Sequence, residues 1–217
     1  MSKYVTEFIG TFFLVFTIGL TVISKSDFAP LAIGASLMVM VYMGGHVSGA
    51  HYNPAVSLAL LLRGELPAKD FIPYVVSQLL GALAAAGAVN FVLGQSFAPE
   101  PAATATTAQA LAVEILYTFA LALVVLNVAT SPATSGNSFY GLAIGFTIVA
   151  AAFAGGPVSG GAFNPAVGAG PTIVRAALGD GSYQHLWLYL VGPFVGAVLA
   201  AGVFKLQLAG GGEPESA

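Results

Sequence analysis

The sequence predicts an all-α membrane protein: six transmembrane helices plus two re-entrant half-helices, laid out as an inverted repeat. Three observations carry this. Of 217 residues only 7% are charged and 57% are hydrophobic, whereas a soluble domain carries about 25% charged residues. So much apolar surface needs lipid as its solvent. Asn-Pro-Ala occurs twice, at Asn53-Pro54-Ala55 and at Asn164-Pro165-Ala166. The flanks of the two copies also match. LAIGASLMVMVYMGGHVSGAHYNPAV from Leu31 lies over LAIGFTIVAAAFAGGPVSGGAFNPAV from Leu142 without a gap, at a constant offset of 111 residues.

Apolar stretches of about 20 residues can cross a hydrocarbon core roughly 30 Å thick. They fall near 4–24, 30–48, 73–94, 109–129, 139–156 and 185–206. The first is read as a span and not as a signal peptide. Glu7 sits inside it, it exceeds an ordinary h-region, and no small-residue cleavage site follows. Turn-rich breaks separate the spans at 25–27, 66–70, 98–108, 131–138 and 179–181. The Gly-rich stretch 210–217 is expected to be a disordered tail.

Two helical segments are too short to span. Pro54–Arg63 and Pro165–Arg175 contain ten and eleven residues, about 15 Å of helix at 1.5 Å per residue, half the hydrocarbon thickness. Each has Asn at the N-cap and Pro at the first helical position, the pairing a helix start favours. A re-entrant half-helix returns the chain to the side it came from. Spans three, four and five separate the two copies, so the copies enter from opposite faces and meet near the midplane. The repeats are 1–108, three spans and half-helix 54–63, and 109–209, three spans and half-helix 165–175. With both termini cytoplasmic, Lys3, Arg63, Lys69 and Lys205 lie inside against Lys25 and Arg175 outside, the sign the positive-inside rule requires. Weaker similarity reaches the flanking spans. Glu7-x-x-Gly-Thr-Phe faces Glu114-x-x-Tyr-Thr-Phe, and Tyr74 with Gly81-Ala82 matches Tyr189 with Gly196-Ala197.

Non-helical backbone at membrane depth survives only where protein surrounds it or water fills the space. The approaches to the half-helices, Val47–Tyr52 and Val158–Phe163, are Gly-rich. Extended backbone there would turn the carbonyls of Gly49, Ala50, His51, Tyr52, Gly160, Ala162 and Phe163 toward a narrow pore, a ladder of acceptors for water or another donor solute. Asn53 and Asn164 would cap their helices and still offer amide N–H groups. Two positive dipole ends at one spot would orient a water and repel cations, a hopping proton included. A lone Asn-Pro would read simply as a helix start. Two copies in register within an inverted repeat leave that reading little room.

On these residues — the two Asn-Pro-Ala boxes, the Ser-Gly-x-His-Tyr-Asn-Pro-Ala-Val-Ser context and the paired glutamates — the chain resembles the aquaporin (major intrinsic protein) family over essentially its whole length. The resemblance implies a right-handed bundle of six spans and two half-helices, a pore in each protomer, and a homotetramer. It also implies that Glu7 and Glu114 are buried acceptors pinning the re-entrant loops. The alternative for both is a carboxylate in the first turn of a helix, favoured by the dipole. Histidines at positions like His46 and His51 hold this loop and edge the cytoplasmic pore in the family. The pairs Gly45/Gly49, Gly141/Gly145, Gly156/Gly160 and Gly192/Gly196 are expected to permit close helix packing.

The chain departs from the family's pattern at the outer selectivity filter. Where most relatives place an arginine after the second box it has Val167. The other filter positions, carried over by distance from the boxes, are Ile33, Ala152 and Gly161. No filter side chain can donate a hydrogen bond or carry charge. The filter should be wide and methyl-lined, as in plant vacuolar members with a similar valine, and urea, ammonia, hydrogen peroxide or a small polyol should pass. Ion exclusion then rests on the central dipoles, and an apolar ring could also dewet. Gly168-Ala169, where glycerol facilitators usually have an aspartate, and the short loops favour the water class, whereas Leu190 stands where that class often has tryptophan.

The expected function is passive conduction of water and small neutral solutes, glycerol left open, with ions and protons excluded. A secondary transporter with inverted repeats and a pore-occluded structural paralogue are the alternatives. No nucleophile–base pair, metal cluster or phosphate loop points to an enzyme, cofactor or metal. With no cysteine there is no disulfide or thiolate site, and without a basic run nucleic acid is not a partner. The expected location is the plasma (cell inner) membrane of a prokaryote.

Overall fold

The computed structural model describes residues 1–210. The expected disordered tail lies outside the described residues, apart from Gly210, which ends the last helix. Among the described residues eight α-helices follow in order: α1 (Ser2–Ile23), α2 (Ala29–Ser48), α3 (Pro54–Arg63), α4 (Ala68–Leu93), α5 (Thr107–Thr130), α6 (Tyr140–Ser159), α7 (Pro165–Ala177) and α8 (Leu186–Gly210), with a 3₁₀ turn at Pro132–Thr134. Six of them, α1, α2, α4, α5, α6 and α8, are long and apolar enough to cross a membrane.

Local chemistry explains most boundaries. Thr106 and Gln109 form a capping box that starts α5, satisfying amides that a helix start leaves without an intrahelical partner. Gly49 and Gly160 end α2 and α6 in the left-handed region, at φ 83° and 87°, which glycine enters at no steric cost. They are therefore helix caps, and the nearest neighbours of a Cβ at them would be the His51 ring for Gly49 and the Glu100 backbone for Gly160, not another helix as expected for the pairs Gly45/Gly49 and Gly156/Gly160. The third span starts at Ala68, five residues before the expected 73, even though Pro73 lies inside it. Its first turn is held by Asp70, whose carboxylate accepts from Lys3 Nζ and Tyr4 Oη of α1, each at 2.7 Å. The fifth span likewise continues through Pro157 to Ser159.

The helices pair as an inverted repeat requires. α1 packs on α4 as α5 packs on α8, α1 on α2 as α5 on α6, and α2 meets its own counterpart α6. The half-helices cross over: α3 lies against α8 and α7 against α4. Gly81 of α4 abuts the Phe8 carbonyl and Phe12 amide of α1, and Gly196 of α8 abuts the Ile115 carbonyl and Phe119 amide of α5. These are the same contacts repeated, since Phe8 and Phe12 align with Ile115 and Phe119 when Glu7 is set over Glu114. A Cβ at either glycine would overlap backbone that cannot turn away. Gly81→Ala is therefore expected to cost about 1–3 kcal/mol, the usual penalty for overpacking, read as a lower thermal midpoint in detergent. Gly87→Ala on the same helix is the control. Its Cβ meets open space, and the exchange should stabilise by up to about 1 kcal/mol.

Candidate functional site

The two Asn-Pro-Ala boxes meet. Asn53 sits at the N-cap of α3 in extended conformation, its Oδ1 accepting from Ala55 N at 2.8 Å and Val56 N at 3.4 Å. Asn164 caps α7 in the same way, accepting from Ala166 N at 2.9 Å. Their amide nitrogens cross between the repeats: Asn53 Nδ2 donates to the Phe163 carbonyl at 2.9 Å and Asn164 Nδ2 to the Tyr52 carbonyl at 2.8 Å. The two half-helix N-termini are thereby pinned together. Each asparagine has spent one of its two amide hydrogens on the pin, so one remains for the pore.

The loops leading into the half-helices are not extended. Ala50, Tyr52 and Phe163 have φ of 52°, 50° and 50°, and Gly161 has φ 66°. Non-glycine residues in this region carry strain that only a well-defined surrounding structure can hold. The holding groups are the two glutamates. Glu7 Oε1 accepts from Ser48 Oγ at 2.7 Å and His51 N at 2.9 Å, and Oε2 accepts from Tyr52 N at 2.7 Å and Gln78 Nε2 at 2.8 Å. Glu114 Oε1 accepts from Ser159 Oγ at 2.7 Å and Ala162 N at 3.0 Å, and Oε2 from Phe163 N at 2.7 Å. Both carboxylates are fully buried. Neither lies in a first helical turn, which removes the dipole reading. Tyr74 and Tyr189 finish the braces, donating to the Ser48 and Ser159 carbonyls at 2.7 and 2.6 Å.

A cavity of about 370 Å³ runs beside this junction. The four filter candidates, Ile33, Ala152, Gly161 and Val167, all line it, as do Asn53, Asn164, Ala50, His51, Tyr52, Gly160, Ala162 and Phe163. Gly49 does not. It lines a second cavity of about 450 Å³ with Glu65, Tyr140 and the segment around the 3₁₀ turn. The carbonyls of Tyr52 and Phe163, expected to serve the pore, each already accept an asparagine amide. His46 is exposed in the last turn of α2.

Sequence reasoning missed the strap between α4 and α5. Phe97, Ala98, Pro99 and Glu100 line the main cavity. Ala102 N donates to the Val158 carbonyl at 3.0 Å, the Glu100 backbone lies against Gly160, and Arg175 Nη1 holds Glu100 Oε1 at 2.6 Å. The strap therefore borders the loop that carries Gly161. The available signal was a lone carboxylate between Pro99 and Pro101 in a chain with few charges.

The sequence model of the major intrinsic protein family matches residues 1–204. The chain belongs to the major intrinsic protein family. Among its relatives, Aquaporin NIP1-1 of Zea mays is 39% identical over 216 residues, covering 95% of this chain and 74% of the relative. Glycerol uptake facilitator protein-like 6 of Lactiplantibacillus plantarum is 40% identical over 214 residues, covering 93% and 95%. The X-ray structure of the aquaglyceroporin from Plasmodium falciparum shares the fold at a TM-score of 0.85 over 96% of this chain and 97% of that one, at 24% identity. As a major intrinsic protein with six apolar helices, this chain is an integral membrane channel of the aquaporin and aquaglyceroporin family.

Proposed function

We propose that the protein is a passive channel for water and small neutral solutes — urea, ammonia and hydrogen peroxide, with glycerol the largest candidate — that excludes ions and protons. The observation that carries this reading is that Ile33, Ala152, Gly161 and Val167 all line one cavity, none with a side-chain donor or charge. Polar contact is left to backbone and to one amide hydrogen on each asparagine. Two half-helix N-termini pinned at one point supply the barrier to cations. Relatives named as an aquaporin and as a glycerol uptake facilitator support a range that extends beyond water. The same reading includes two repeats, 1–108 and 109–209, a homotetramer with a pore in each protomer, both termini cytoplasmic, and the plasma (cell inner) membrane.

A coupled transporter needs an intramembrane ionisable group free to change partners. Glu7 is held by four donors and Glu114 by three, which favours the channel and, with the family of channels, a role other than enzyme. Flux should be linear in gradient with a low activation energy. Stopped-flow light scattering on proteoliposomes tests the solute range. Val167→Arg is expected to lower urea and glycerol flux by about tenfold or more, a change of about 1.4 kcal/mol in barrier, while sparing most water flux. Unchanged urea and glycerol flux would sink the wide-filter reading.

A further inference from the structure

Gly161 brings no side chain to the filter, so the aperture there depends on where its backbone stands. Glu114 holds the two residues after it, through Ala162 N and Phe163 N. The strap holds the residue before it. A Cβ on Gly160 would stand 2.6 Å from both the amide nitrogen and the carbonyl oxygen of Glu100, so the strap backbone rests directly on Gly160. In the first repeat the matching Gly49 meets only the His51 ring of its own loop.

The strap is fixed near both ends. Phe97 is buried against Gly19 of α1, and Ala102 N donates to the Val158 carbonyl at 3.0 Å. Between those ends, the hydrogen bond from Arg175 Nη1 to Glu100 Oε1, at 2.6 Å, is the one tie among the described residues. Arg175 is itself held. Its Nε donates to the Asp180 carbonyl at 3.2 Å, its stem lies against Gly181, and Ser96 Oγ donates to Asp180 Oδ2 at 3.2 Å. An isolated exposed ion pair contributes little, whereas charges joined in a network contribute more.

Placement ties this network to the filter. Glu100 is the one charged residue among those lining the main cavity. Arg175 stands in the last turn of α7 and Val167 in the first, about 12 Å apart along one helix at 1.5 Å per residue. We propose that the Glu100–Arg175 pair positions the outer filter: it seats the strap on Gly160 and so sets the aperture at Gly161. The inference rests on the channel reading and adds two specificity-determining residues that act through backbone, not by touching the permeant. Inward movement of the strap is blocked by Gly160, and outward lies solvent, since Glu100 is exposed. Loss of the pair therefore lets the strap lift and widens the aperture.

Stopped-flow measurements in proteoliposomes test this. Glu100→Gln, and as a second variant Arg175→Gln, should raise urea and glycerol flux relative to water about two- to fivefold, the range one exposed ion pair allows. The charge swap Glu100→Arg with Arg175→Glu restores the pair and should return the ratio to the wild-type value. Unchanged ratios in both single variants overturn the proposal, and so does a swap that remains as permissive as they are. Amide hydrogen exchange in lipid nanodiscs gives a readout independent of conduction. Residues 97–105 should exchange faster in both single variants and at the wild-type rate in the swap. Exchange unchanged in the single variants overturns the clamp. A parent protein that passes neither water nor urea rejects the channel reading itself, and the exchange measurement still decides the clamp.

Discussion

Glu7→Leu leaves four buried donors without an acceptor: Ser48 Oγ, the amides of His51 and Tyr52, and Gln78 Nε2. Each orphaned donor costs about 1–3 kcal/mol, and the sum is comparable with a whole fold's stability of about 5–15 kcal/mol. The loop also loses what holds Ala50 and Tyr52 in the left-handed region. The expected result is protein that melts far below wild type, is cut by protease within 49–53, and conducts no water. Glu114→Leu orphans three donors and should be the milder lesion. If Glu7→Leu kept the wild-type midpoint and flux, the carboxylate would not be the brace.

Asn164→Asp tests the electrostatic centre. The exchange removes the donor that reaches the Tyr52 carbonyl and sets a carboxylate where two positive helix ends meet. A unit charge about 5 Å from a passing cation lowers its energy by about 3 kcal/mol at an effective dielectric of about 20, roughly two orders of magnitude in rate. Cation current should therefore appear in planar bilayers where the wild type shows none, and Asn53→Asp should act alike from the other repeat. A variant that folds, passes water and remains cation-tight would refute the view that the half-helix ends carry the barrier.

How much of this was legible depended on how local the cause was. α3 begins and ends where the sequence placed it, at Pro54 and Arg63, because Asn53, Pro54 and the left-handed Gly64 are all local signals. α7 overran its expected end at Arg175 to Ala177, because no glycine follows that arginine directly. The third span began early because Asp70 is held by Lys3 and Tyr4, 67 and 66 residues away in sequence. The loops read as extended from glycine content, yet Ala50, Tyr52 and Phe163 take positive φ. Alanine and aromatic residues give no hint of that. It follows from where the two carboxylates stand.

The sequence by itself determined the membrane class, the duplication, the half-helices and the parity that sends them in from opposite faces. Those depend on composition, repeat offset and capping, which act within a few residues or over the whole chain at once. The tertiary structure alone decided how the pore is lined. It spends one amide hydrogen of each asparagine on the opposite loop, lays the Phe97–Glu100 strap along the cavity, and ties Glu100 of that strap to Arg175 of α7. Each of these is a hydrogen bond or contact between residues far apart in the chain, and its direction is set by which donors and acceptors the packed helices leave facing one another.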